Sequence, residues 1–192
     1  MDSIDLSVLK TLREWQAGNL PLWLVTVVET FGSSPRPPGA MLALRCDGLA
    51  VGSVSGGCIE DDLVLRAKRG ELPVDRCEVL TFGVTSEEAK RFRLPCGGVI
   101  RVVVEPVQNM DWVEQVLQLV QMHRPVRRTL NFNSLQVELD DACRTDSISF
   151  DGATLTTVHG PSTVLQAHTW IRKYFSHSES THLIFLPHFQ AP

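Results

Sequence analysis

Apolar and polar positions alternate along this chain in two rhythms. Ile4, Val8, Leu12 and Trp15 recur at near-helical spacing, which predicts an amphipathic helix over residues 5–17. Gly18-Asn19 then stops it. "PLWLVTVVET" is an almost continuous apolar run rich in Val, suited to a strand buried on both faces and hence to a sheet covered by helices. "FGSSPRPPGA" is a loop, because its Gly, Ser and Pro residues fit neither a helix nor a central strand. "AMLALRCDGLAVGSV" predicts a hairpin turning at Asp47-Gly48.

A second helix is expected over Ile59–Arg69. Leu63 and Ala67 continue the face that Ile59 begins, Lys68 and Arg69 fill the last turn, and Gly70 follows. "DRCEVLTFG" predicts a strand, "TSEEAKRF" a helix opened by a Ser/Thr cap, and "GVIRVVVEP" a second buried strand closed by Pro106. Val113, Val116, Leu117 and Val120 mark a further helix. Two hairpins are expected next, turning at Asn133-Ser134 and Asp151-Gly152. "KYFSHSESTH" reads as a polar linker, and "HLIFL" as the start of a strand. The elements predict an α/β fold: a mixed β-sheet flanked by helices, with a small β-rich C-terminal extension. The expected division is 1–106 for the first domain, 107–175 for a helix plus β-hairpin extension, and 176–192 for the terminal segment.

Composition narrows the function classes. Hydrophobic residues make up 43% of the 192 and charged residues 21%, ordinary for a globular chain that buries a core. A net charge of −4 offers no basic excess for neutralising phosphates, so a nucleic-acid partner is not expected. No apolar run reaches the roughly 20 residues that cross a bilayer, so no membrane partner is expected either. The opening "MDSIDLSVLK" lacks the basic start and apolar core of a signal peptide, which makes the cytoplasm the default location. Five cysteines without a C-x-x-C pair suit reduced thiols rather than a disulfide scaffold or a closed zinc site. Cys46, Cys77 and Cys143 read as packed thiols. The histidines, His123, His159, His168, His177, His182 and His188, follow no ligand spacing and read as exposed or locally capping; no metal site is expected.

Two segments carry the candidate chemistry. "GSVSGGCIEDDL" places a Gly pair and Cys58 where the second helix begins, and "LPCGGVIRVVVEP" joins Cys96 to Gly97-Gly98. Glycines let backbone N–H groups converge in a nest, and the helix start adds partial positive charge, together suiting a phosphate or a thiolate. Cys58 there is a candidate nucleophile, sulfur carrier or soft metal ligand, or simply a packed thiol. Gly52 and Gly57 have P-loop spacing, but Cys58-Ile59 stands where Lys-Ser/Thr would be. Val54 likewise removes a nucleophile elbow. Glu60, Asp61 and Asp62 complement the helix dipole and would repel a phosphate. Cys96 is either functional or a buried thiol at a turn. In "GSSPRPPG", Ser33 and Ser34 offer donors, and Arg36 is either an anion ligand in a stiff loop or half of an ion pair.

Taken in order and spacing, "VTVVETFGSSPRPPGAMLAL", "GSVSGGCIEDDL" and "LPCGGVIRVVVEP" resemble the N-terminal domain of the XdhC/CoxI family over about residues 5–106. That resemblance implies an accessory protein that binds molybdenum cofactor (molybdopterin) as cargo. It also implies support for sulfuration of the cofactor with a cysteine desulfurase, and delivery to the apoenzyme of a xanthine dehydrogenase-type molybdenum hydroxylase. The implied cradle is Ser33, Ser34, Arg36 and Gly39 in the first loop, Ser55, Gly56, Gly57, Cys58 and Glu60 in the second, and Cys96, Gly97 and Gly98 in the third. Family members commonly continue into a Rossmann-like domain. Here "THLIF" looks like its first strand, but "LPHFQAP" replaces the Gly-rich turn, so the expectation is a truncated member with no NAD bound and an apolar segment suited to homodimerisation. A cofactor chaperone, more than a turnover enzyme, is the favoured reading. The alternatives are a thiol-dependent sulfur- or acyl-transfer enzyme using Cys58 or Cys96, for which neither motif supplies a His base, and an inactive remnant.

Overall fold

In the computed structural model the described residues are 3–32, 34–83, 87, 98–142 and 148–160, with the backbone alone for Ser3, Ile4 and Cys58. Helix α1 (Ser3–Trp15) runs into a 3-10 turn, Gln16–Gly18, and ends where Asn19 adopts a left-handed conformation (φ 49°). Strands β1 (Leu22–Phe31), β2 (Met41–Arg45) and β3 (Ala50–Gly52) follow, then helix α2 (Cys58–Lys68) and strands β4 (Glu78–Phe82) and β5 (Val99–Pro106). Helix α3 (Asp111–Gln121) leads to β6 (Val126–Asn131), β7 (Val137–Asp141), β8 (Ile148–Phe150) and β9 (Thr154–His159). The helix expected over "TSEEAKRF" lies outside the described residues except Glu87, which is helical. Cys143 and residues 161–192, including the linker and the "HLIFL" segment, also lie outside them.

Five strands form one sheet in the order β3-β2-β1-β5-β4, and four form a second in the order β7-β6-β9-β8. The α/β class with helices flanking a sheet is what the structure shows, and every described pairing is antiparallel. Short turns such as Cys46–Leu49 allow only that direction, since a parallel partner needs a long crossover. The two C-terminal hairpins are not separate: β6 pairs with β9 from Val126↔His159 to Asn131↔Thr154.

β1 is buried on both faces, as its continuous apolar run requires. Trp23, Val25 and Val27 meet Ile59, Leu63 and Ala67 of α2. Leu22 and Leu24 point the other way, onto Val8, Leu9 and Leu12 of α1 and Val113, Val116 and Leu117 of α3. A bulge between Val27 and Glu29 interrupts the ladder, which resumes from Glu29↔Arg101, and Val28 joins Val103 against Leu130 and Leu155 of the second sheet. Gly52 is fixed by crowding: a Cβ there would lie 2.3 Å from the Met41 carbonyl oxygen and 2.5 Å from Val8 Cγ2, at a φ of 107°.

Between the layers lies a polar cluster. Arg128 of β6, 1% exposed, donates to Glu105 of β5, 3% exposed, and stacks 3.9 Å from the centre of the Trp112 ring. Beside it on β9, Thr157 Oγ1 and His159 Nε2 are 2.9 Å apart. His159 is therefore neither exposed nor a surface cap. Burial, reinforced by the Arg128 charge, lowers its pKa to about 3 and keeps the ring neutral.

Candidate functional site

The three motif loops meet at one end of the central sheet. β1 and β5 pair down to Phe31↔Val99, so the loop leaving β1 and the segment entering β5 emerge side by side. A Cβ on Gly32 would lie 3.3 Å from Gly98 Cα, and one on Gly56 would lie 3.9 Å from Pro35. Arg36 Nε donates to the Ser53 carbonyl at 3.3 Å. Phe31, Pro35, Gly56 and Gly57 form the exposed rim, while Gly98 is buried.

Within the second loop the nest expected from the glycines is present, and the chain's own Glu60 occupies it. Glu60 Oε1 accepts from Ser53 Oγ (2.7 Å) and from the N–H groups of Val54 (2.8 Å), Ser55 (2.9 Å) and Gly56 (3.2 Å). Oε2 accepts from Gly57 N–H (2.9 Å) and the Ser55 hydroxyl. Ser55 Oγ in turn accepts from Ile59 N–H at 3.1 Å, so two side chains satisfy the Gly57 and Ile59 donors at the α2 start. Burial pushes the Glu60 pKa up, but the hydrogen bonds from Ser55 and Ser53 outweigh it and hold the group at about 2. Glu60 does more than complement the dipole: it is the internal anion that shapes the loop. Gly57, at φ 145° with open space where a Cβ would stand, is required by backbone conformation rather than by crowding.

Arg36 is the half of an ion pair. Its Nη2 lies 3.9 Å from Asp5 Oδ1 in the first turn of α1, and Ser34 Oγ donates to the Arg36 carbonyl at 2.8 Å. Gly39 closes the base of the loop, its N–H donating to Val27 O at 2.8 Å. The backbone of Cys58 opens α2. Ser33, Cys96 and Gly97 lie outside the described residues, so the structure brings together Ser34, Arg36, Ser55, Gly56, Gly57, the Cys58 backbone, Glu60 and Gly98. Sequence reading missed Ser53 and Asp5; the G-x-x-E spacing of Gly57 and Glu60 was the available signal for the cap. Among the other thiols, Cys46 and Cys77 are free, and burial, with the Glu105 charge, pushes Cys77 up to about 12, which leaves it inert. Among the described residues no group of three His, Cys, Asp or Glu side chains could hold a metal ion, and no helix is long and apolar enough to cross a membrane.

The stretch of residues 15–83 matches the model of the XdhC and CoxI family. It contains the first two motifs; the third lies beyond it. The chain is similar to the molybdenum cofactor insertion chaperone PaoD of Escherichia coli (strain K12), with 33% identity over 103 residues. That alignment covers 54% of this chain and 32% of the chaperone, so the chain spans about a third of its relative's length. A solved structure, a xanthine dehydrogenase from Bacillus halodurans, has the same fold with a TM-score of 0.58 at 21% identity. It covers 80% of this chain and 53% of that one.

Proposed function

We propose that this chain is an accessory protein of molybdenum enzyme maturation, which holds molybdenum cofactor at the three-loop end of its central sheet and passes it to a molybdenum hydroxylase. The observation that carries the reading is the convergence of all three motifs, Gly32 against Gly98 and Arg36 against Ser53, in a chain whose matched relative is a cofactor insertion chaperone. The finer reading is a xanthine dehydrogenase-type apoenzyme as recipient and a cysteine desulfurase as sulfur donor, with the cytoplasm as setting.

Glu60 already fills the nest, so the loop N–H groups do not face an incoming phosphate as empty donors. Their role in this reading is to hold Gly56 and Gly57 open at the rim, where backbone without side chains lets a bulky cargo approach closely. Arg36, tethered at the edge of the same loops, supplies positive charge toward an anionic group, and Cys58 a soft ligand at the start of α2.

The test is anaerobic titration of the purified protein with molybdenum cofactor, reading molybdenum and pterin retained after gel filtration. Wild type should retain the cofactor stoichiometrically. Arg36→Ala and Cys58→Ala, confirmed folded by their melting curves, should lose it. Absence of retention by wild type would sink the carrier role for this chain.

A further inference from the structure

Phe31 is the last residue of β1 and leads directly into the first motif loop. It pairs with Val99, which follows Gly98 of the third motif, so it stands at the seam where those two segments leave the sheet. The register fixes the side its ring takes. Phe31↔Val99 and Glu29↔Arg101 are alternate pairs on one face, while Ile100, Val102 and Val104 point the other way, into the α2 core. Leu24, opposite Glu105, lies on the face of Phe31 as well and packs against α1, whose Asp5 holds Arg36.

A single exposed apolar side chain is ordinary on a protein surface, so position and surroundings decide what this one means. Phe31 is 58% exposed, at the rim of the site itself. Its ring is also unclaimed. On the same face Phe150 is engaged twice, with Phe132 at 5.8 Å between centroids and with the Arg101 guanidinium at 5.5 Å, and Arg101 is further held by Glu29 at 2.6 Å. Phe31 makes no such ring or cation contact with a described residue. Finally, the backbone beside it is bare: a Cβ on Gly32 would lie 3.3 Å from Gly98 Cα, so no side chain from either glycine stands between the ring and a flat group laid on it.

The carrier reading brings to this end a cargo with three chemically different parts. Arg36 suits its anionic group and Cys58 its soft metal centre, but neither recognises a planar heteroaromatic ring. An open aromatic face does, through stacking. We propose that Phe31 is the platform on which the pterin ring of the cofactor stacks. The inference rests on the carrier reading and adds to it the residue that reads the ring.

Phe31→Leu keeps an apolar side chain and removes the ring, whereas Phe31→Tyr keeps the ring. At an exposed position both should fold, as melting curves will check. The first probe is bare pterin, which has neither metal nor phosphate, followed by proton NMR in the presence of the full chain. Wild type and Phe31→Tyr should move the pterin ring protons upfield saturably, the signature of an aromatic face above them, and Phe31→Leu should not. The second probe is the cofactor itself, with affinity measured anaerobically from retained molybdenum and pterin. Phe31→Leu should weaken it at least about fivefold, as loss of one stacking partner does, and Phe31→Tyr should restore it. An absent upfield shift in wild type, or cofactor held equally by wild type and Phe31→Leu, would overturn the stacking role and leave the carrier reading standing. Equal cofactor affinity with transfer to the apoenzyme lost would likewise overturn it, assigning the ring to a protein interface. No cofactor retention by wild type would overturn the carrier reading and this inference together.

Discussion

Glu60 accepts six hydrogen bonds from five consecutive residues, Ser53 to Gly57. Among the described side chains no other makes as many hydrogen bonds to that loop, so removing Glu60 should be felt locally and in stability. Glu60→Ala is expected to cost about 1–3 kcal/mol at neutral pH, discounted for the partial exposure of the site. The pH dependence has a definite sign. Because the folded pKa is lowered from 4.5 to about 2, the contribution is complete above pH 4.5 and lost as pH falls from there toward 2. Urea unfolding at pH 7 and pH 3 should therefore show the gap between wild type and Glu60→Ala narrowing in acid. A gap unchanged by pH would show that the carboxylate charge is not what holds the loop. The sequence marked this residue as acidic at a helix start, but not which donors it would meet. Those depend on the backbone path through Gly56 (φ 87°) and Gly57 (φ 145°), which residue types permit but do not specify.

At the level of elements, β5, β6 and α3 are joined by Glu105, Arg128 and Trp112. Breaking a buried pair on one side leaves an uncompensated charge, whereas replacing both partners with apolar groups removes the desolvation cost as well. Arg128→Met alone should cost about 3–5 kcal/mol, and the double variant Glu105→Leu/Arg128→Met should recover most of that loss. Thermal melts of the two single variants and the double variant measure the coupling; additive losses would mean the pair is not a coupled unit. None of this was legible beforehand. Glu105 and Arg128 sit in strand sequences that predict only alternation, and the partners come from strands 23 residues apart in sequence. The helices α1, α2 and α3 and the hairpins were legible, because their signals are local. The four Val and Leu positions named for α3 are all buried, and the Asp47-Gly48, Asn133-Ser134 and Asp151-Gly152 turns stand where the turn residues put them.

Across the whole molecule, the apolar clusters run between layers. Leu22 and Leu24 of β1 share a cluster with α1, α3 and Val126 of β6, and Val28 and Val103 share one with Leu130 and Leu155 of the second sheet. Burial shared in this way makes the layers depend on one another. Far-UV circular dichroism and tryptophan fluorescence should therefore report one coincident unfolding transition. A fragment of residues 1–106 should expose the second face of β1 and β5 and bind the apolar dye ANS, which the full chain should not. Two separated transitions in the full chain would contradict this mutual support.

By itself the sequence determined the local elements, the three motifs and their family likeness, since hydrophobic period, turn residues and short-range spacing act within a few residues of each other. Only the tertiary structure decided that the motif loops share one sheet end, that Glu60 rather than an outside anion fills the nest, and that Glu105, Arg128 and His159 are buried together. Each of those facts depends on which strands pair and which faces stack. That choice is made by the burial free energy of the whole core, and no short stretch of residues carries it.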